Sequence, residues 1–314
     1  MTKKTLTIVS PVYNEEPVIH DFYTALRSQL DNLKDYSCDI IFVVDKCTDQ
    51  TLDVVKEIAA RDPSFSILAL SSRFGYQMSL MAGIDHAMGD AVITMDADLQ
   101  HPPSVIPLLL KEFEKGADIV HTVRMHTEGL GFVRRMQSKA FYWLINLISE
   151  VPILENASDF RLISQRVAKI VRTKLRERNL FLRGIINWMG FTQARVEFVA
   201  PKRTKGKTKF SLSRLMQFAF FGLISFSKKP LRAASITGLL FACFGFLFAG
   251  VTAVQYVSGN QFPSGWATVI VLLAIFGGFQ LIFLGVIGEY IGAIFDEVKA
   301  RPHYLVDEAI NISL

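Results

Sequence analysis

Residues 89–103 read Gly89-Asp90-Ala91-Val92-Ile93-Thr94-Met95-Asp96-Ala97-Asp98-Leu99-Gln100-His101-Pro102-Pro103. Four of the five residues from Ala91 are apolar, enough for a short buried strand that Gly89-Asp90 launches as a turn. Pro102-Pro103 ends any pairing. In an extended chain residues two apart point the same way, so Asp96 and Asp98 are expected to face one point in space. At the carboxyl end of a sheet strand, that point lies in the crevice where open α/β sheets bind ligands. Two carboxylates and the Gln100 amide oxygen make a hard, all-oxygen set, suited to Mg²⁺ or Mn²⁺ rather than zinc. An isolated Asp-x-Asp can equally be a solvated turn, so the surrounding chain decides between the two.

Strand-like and helical patterns alternate through the first 125 residues. Leu6–Ser10, Cys38–Val44, Ser66–Leu70, Ala91–Met95 and Asp118–Val123 read as strands. Pro17–Asn32, Gln50–Arg61, Gln77–Met88 and Pro103–Lys115 read as helices. That alternation predicts an α/β fold, with a mostly parallel sheet of the Rossmann type covered by helices on both faces. No Gly-x-Gly-x-x-Gly follows a strand, which disfavours a dinucleotide site. The first strand runs into Pro11-Val12-Tyr13-Asn14-Glu15-Glu16 and the second into Asp45-Lys46-Cys47, so both loops open at the edge that carries Asp96 and Asp98. Pro11, Tyr13, Asn14, Glu15, Asp45 and Asp96 are therefore candidate residues of a nucleotide-diphosphate site. Tyr13 offers a ring to a base, and Glu15 and Asp45 can accept from base N–H or ribose hydroxyls. Helix capping at Asn14–Glu16 and a plain turn at Asp45 are the open alternatives.

From Ala233 to Gly288 there is no charged residue. The span divides at residues 258–265 into Ala233–Val257 and Trp266–Gly288, each past the roughly 20 residues that cross a bilayer. Lys228, Lys229 and Arg232 precede the first span, and Lys299 and Arg301 follow the second. The positive-inside rule then puts both termini in the cytoplasm. Leu6–Val9 is too short for a signal-peptide core, so export of the first 230 residues is not expected. The expected organisation is a cytoplasmic domain over 1–210, an interfacial helix over 211–230, a transmembrane hairpin over 231–295 and a cytoplasmic tail over 296–314. Cys38, Cys47 and Cys243 form no disulfide framework, which suits a reducing compartment. A formal net charge of +5 suits phosphate-bearing or anionic-membrane partners, and nothing points to nucleic acid.

The blocks Pro11–Glu16, Ser72–Gln77, Met81–Ala87, Asp96–Pro103, Ser158–Ile163, Phe181–Gly184, Lys205–Phe210 and Ile224–Arg232 resemble inverting glycosyltransferases of family 2. Within that family the chain is similar to the polyprenyl-phosphate enzymes related to dolichyl-phosphate mannose synthase, and most of all to bacterial bactoprenol glucosyltransferases. The resemblance implies a GT-A-like domain and metal-assisted transfer of a sugar to polyprenyl (undecaprenyl) phosphate at the inner membrane. Glucose from UDP-glucose is the first expectation; GDP-mannose or another UDP-sugar is the alternative. It further implies catalytic roles for Asp98 and Asp159, and acceptor-phosphate contacts from Arg124, Arg135 and Ser138. Asp159 is expected mainly to position and to act electrostatically; a structural aspartate with a backbone partner is the alternative. Arg203, in a basic Gly-containing loop, is the expected donor-phosphate clamp. Where the family usually has Asp-Asp-Gly-Ser after the second strand, this chain reads Val44-Asp45-Lys46-Cys47. The base is therefore unassigned, and homo-oligomerisation is left open. A processive polysaccharide synthase would need a Gln-x-x-Arg-Trp motif, which is absent; a non-catalytic nucleotide-sugar scaffold is the rival from another class.

Overall fold

The computed structural model describes residues 3–125, 157–178, 180–201, 229–258 and 265–313. The expected interfacial helix lies outside the described residues. The first half alternates as its pattern predicts: β1 (Lys4–Val12), α1 (Glu16–Asp31), β2 (Tyr36–Val44), α2 (Thr51–Ala59), β3 (Phe65–Leu70), α3 (Tyr76–His86), β4 (Ala91–Thr94), α4 (Ile106–Glu114) and β5 (Ile119–Arg124). Strand alternation sorts the side chains into two cores. Leu6, Ile8, Ile40 and Phe42 pack on the face covered by Phe22 and Leu26 of α1; Val9, Ile41 and Val43 pack on the face covered by Leu80 and Ile84 of α3. All four β4 residues are buried, so this strand lies deep in the sheet.

The chain continues with β6 (Ala157–Ser164), α5 (Gln165–Lys174), α6 (Leu182–Trp188) and β7 (Gln193–Phe198), and its last strand is β8 (Val306–Ile310). The sheet order is β7-β5-β6-β4-β1-β2-β3-β8. β1 pairs in parallel with β2 and β4, β2 with β3, and β5 with β7. Among the described strands only β6 and β8 run antiparallel to their neighbours, so the sheet is mostly parallel as expected. The sequence pattern does not find β6, because the buried Arg161 interrupts the continuous apolar run expected of a strand covered on both faces. Yet β6 is inserted between β4 and β5, pairing Thr94 with Arg161 and His121 with Arg161.

Two further helices, α7 (Lys229–Val257) and α8 (Trp266–Lys299), are long and apolar enough to cross a membrane. They touch through Phe241, which lies 4.6 Å from Phe279 and 5.5 Å from Phe276 between ring centroids. The expected tail over 296–314 needs correction: α8 runs on to Lys299, and β8 adds antiparallel to β3. Side chains tie this return down. Asp85 takes Arg176 Nη1 on both oxygens at 2.8 Å and the Tyr304 hydroxyl at 2.8 Å. Asn311 donates to the carbonyls of Ala59 and Phe65.

Candidate functional site

Because β1, β2 and β4 are parallel neighbours, their carboxyl ends deliver three loops to one edge. Pro11 is tolerated inside β1 for a specific reason. Val9 accepts from Met95 on the β4 side, and β1 pairs with β4 only as far as Val9, so two residues on Pro11 has no partner strand there to miss its N–H. The first two loops are stitched together. Asn14, at φ 52°, donates from Nδ2 to Thr48 Oγ1 at 2.8 Å and accepts Thr48 N–H at 2.9 Å. Its own N–H reaches Cys47 Sγ at 3.4 Å, Glu15 N–H meets Thr51 Oγ1, and Glu16 accepts Gln50 N–H. Cys47, at the departure from the usual turn, is thus an acceptor between loops. Arg73, from the loop after β3, stacks its guanidinium 4.1 Å over the Tyr13 ring.

Asp45 is buried and committed to backbone. Oδ1 accepts Phe74 N–H at 2.9 Å and Lys46 N–H at 3.2 Å, and Oδ2 accepts Gly75 N–H at 2.9 Å. These contacts join the β2 loop to the loop that opens α3.

The Asp96–Asp98 segment corrects the expectation drawn from an extended chain. β4 stops at Thr94, and both aspartates lie beyond it, Asp98 within a bend, where the two-residue alternation no longer operates. Leu99 sits at φ 61°, a left-handed conformation that costs a branched residue about 1–2 kcal/mol; packing against the first core holds it there. Asp98 Oδ1 accepts the Gln100 N–H at 3.1 Å. Asp96 Oδ1 accepts the Tyr76 hydroxyl at 2.7 Å. Burial pushes the Asp96 carboxyl up to about 7, with the Tyr76 hydrogen bond opposing and the Asp98 charge adding to the shift.

His101 closes this loop. Its Nδ1 accepts the Asp96 N–H at 2.8 Å, so in the neutral ring the proton is on Nε2, which donates to Ser158 Oγ at 2.6 Å. Burial, with Arg124 nearby, holds the ring well below the usual histidine range and therefore neutral. The 3.5 Å approach of Nδ1 to Asp96 Oδ2 is consequently no ion pair.

Asp159 enters from the start of β6, held between two arginines. Arg161 Nη2 donates to Oδ1 at 2.7 Å, and Arg183 reaches Oδ2 through Nη2 at 2.8 Å and Oδ1 through Nε at 3.3 Å. Burial alone would raise this carboxyl, but Arg183 and Arg161 outweigh it and hold it below the usual range. Arg161 is 1% exposed, and its Nη1 has no hydrogen-bond partner among the described residues. Arg124, at the end of β5, lies 3.4 Å from His101 Nε2. Arg135, Ser138 and Arg203 lie outside the described residues.

Among the described residues no three His, Cys, Asp or Glu side chains cluster as a metal site. The donor set is two carboxylates and the Gln100 amide. That hard-oxygen set fits a cation such as Mg²⁺ or Mn²⁺, which takes much of its shell from water and substrate phosphate. Tyr76, His101, Ser158, Arg161 and Arg183 are site neighbours that sequence reasoning did not assign. His101 stands in the quoted 89–103 stretch, but spacing does not reveal its partners.

The family model described as Glycosyl transferase family 2 matches residues 7–171. The chain is 39% identical over 301 residues to the bactoprenol glucosyl transferase of Shigella phage SfX, covering 96% of this chain and 98% of that one. It is 37% identical over 306 residues to an uncharacterized glycosyltransferase, YkcC, of Bacillus subtilis (strain 168), covering 98% and 94%. Among solved structures, a mannosyltransferase of Pyrobaculum calidifontis in complex with GDP-Man and Mn²⁺ superposes with a TM-score of 0.50. That match has 17% identity and covers 96% of this chain and 89% of that chain, a likeness of fold.

Proposed function

The chain belongs to glycosyl transferase family 2, and on that premise we propose that it transfers glucose from a nucleoside diphosphate sugar, UDP-glucose foremost, to polyprenyl phosphate. The observation that carries this reading is the meeting, at one sheet edge, of the Asp96-Asp98-Gln100 loop with an arginine-clamped Asp159. The full-length similarity to a phage bactoprenol glucosyl transferase supports the sugar and the acceptor.

Asp96, Asp98 and Gln100 would hold Mg²⁺ or Mn²⁺, which when bound offsets charge on the diphosphate. The acceptor needs little deprotonation, since a phosphate monoester with a second pKa of about 6 is mostly dianionic at neutral pH. Its oxygen forms the new bond to the anomeric carbon as the bond to the diphosphate breaks on the opposite face, inverting the configuration. Asp159 suits orientation better than base chemistry, because two guanidiniums already bind its lone pairs. Arg124, with Arg135 and Ser138, is assigned to the acceptor phosphate and Arg203 to the donor diphosphate, a task that suits the planar fork of arginine. Pro11, Tyr13, Asn14 and Glu15 line the donor side. With α7 and α8 in the inner membrane and the sheet domain on the cytoplasmic face, the site stays beside a lipid that cannot leave the bilayer.

The test is to incubate membranes containing the protein with radiolabelled UDP-glucose, GDP-mannose or UDP-N-acetylhexosamines and to count label in the lipid extract. Label from UDP-glucose that disappears in Asp98→Asn is the expected result. No transfer from any donor would favour the non-catalytic scaffold.

A further inference from the structure

We propose that Tyr76 is a positioning residue for Asp96, and that Asp45 acts on the same carboxylate at one remove by fixing the turn that carries Tyr76. This rests on the reading of Asp96 as a cation ligand. Three separate loops are linked in sequence. Asp45, at the end of β2, accepts the N–H groups of Phe74 and Gly75, both at 2.9 Å. Gly75 adopts φ +89°, a conformation side-chain-bearing residues avoid, and Tyr76 begins α3 immediately after it. The Tyr76 hydroxyl then donates to Asp96 Oδ1 at 2.7 Å, just past the end of β4.

The chemistry of a carboxylate ligand explains what such a link does. The terminal torsion of an aspartate is broad, so its two oxygens are easily exchanged or rotated away. A charge-assisted hydrogen bond from a phenol engages one oxygen and fixes the plane of the other. Tyr76 can do this repeatedly because its own position is over-determined, with α3 packed on β1 and β2 and the Asp45 carboxylate gripping the preceding turn. Outer partners of this kind typically change metal affinity or activity about 10–100-fold when removed. Simple packing is the competing role for Tyr76, and phenylalanine satisfies it equally well. Tyr76→Phe therefore isolates the hydroxyl.

The experiment uses the full-length protein in detergent and follows free Mn²⁺ by electron paramagnetic resonance during titration with Mn²⁺ at saturating UDP. Thermal unfolding of each variant serves as the folding control. Tyr76→Phe is expected to weaken Mn²⁺ binding about 10-fold, and Asp96→Asn to abolish it. In the Asp96→Asn background Tyr76→Phe should have no further effect on residual transfer. Asp45→Asn, which replaces one accepting oxygen by an amide, should shift Mn²⁺ affinity in the same direction as Tyr76→Phe and supplies the test if that variant does not fold. Wild-type Mn²⁺ affinity in a folded Tyr76→Phe or Asp45→Asn protein, with binding lost in Asp96→Asn, overturns the positioning role and leaves the cation assignment standing. Undiminished Mn²⁺ binding in Asp96→Asn overturns both.

Discussion

Replacing Gly83 by alanine tests how closely α3 must approach the sheet for the site to form. A Cβ at this position would lie 2.1 Å from Val9 Cγ1 and 3.2 Å from Val43 Cγ2. Both valines are fully buried, and a β-branched side chain has few rotamers to escape into. Restoring an ordinary carbon contact of roughly 3.5 Å requires α3 to retreat by about 1.4 Å. Alanine gains about 1 kcal/mol over glycine in helix propensity. Overpacking costs about 1–3 kcal/mol, and a contact this short belongs near the upper end. Packing wins, for a net loss of about 1–2 kcal/mol, or an apparent Tm lower by about 3–6 °C. Activity should fall further than stability. A retreat of that size carries the Tyr76 hydroxyl out of its 2.7 Å bond to Asp96, and misplacement by about 1 Å can cost on the order of 100-fold in rate. The assay pairs thermal unfolding in detergent with the initial rate of sugar transfer to lipid. Val9→Ala in the same chain removes the offending methyl and should recover turnover more than Tm. Wild-type Tm and turnover in Gly83→Ala would refute the argument.

Asp159→Asn leaves Arg161 and Arg183 facing a neutral amide, and loss of a buried ionic partner costs about 3–5 kcal/mol. The Asp159 carboxyl is depressed in the fold, so its stabilisation is complete above the unfolded value of about 3.9 and disappears as pH falls through the lower folded value. The gap in unfolding temperature between wild type and Asp159→Asn should therefore be constant from pH 8 to 5 and shrink below about pH 4; a gap that does not shrink contradicts this assignment. Asp85→Asn weakens the contacts to Arg176 and Tyr304, a loss of about 1.5–3 kcal/mol. Hydrogen exchange should then accelerate in β8 while β1 and β4 stay protected, and uniform protection would show that β8 is held by its ladder alone.

Local pattern made β1 to β5 and α1 to α4 legible, because a two-residue or 3.6-residue repeat of apolar side chains records directly which face is buried. β6 was opaque for the same reason. Arg161, between Phe160 and Leu162, reads as a solvent-facing position yet is buried, and the ion pair that makes its burial tolerable involves Asp159, which a third residue, Arg183, also clamps. Asp159 itself was found through family resemblance, not spacing. Asp45 shows a different limit. A carboxylate after a strand does not show in the sequence which amides it binds, and those that Asp45 accepts come from Phe74 and Gly75, about 30 positions later. The tail over 296–314 did not announce an added strand at the β3 edge, because Val306-Asp307-Glu308-Ala309-Ile310 has no two-residue alternation.

Composition and periodicity sufficed for the class of fold, for the two long apolar helices and for the placement of acidic loops along one edge of the sheet, since each depends on neighbours within a turn or a strand. Which oxygen of Asp96 is engaged, which tautomer His101 adopts and which guanidiniums grip Asp159 depended on folding. Those contacts join residues tens of positions apart, and hydrogen bonds and ion pairs are sensitive to displacements of a few tenths of an ångström that no linear pattern encodes.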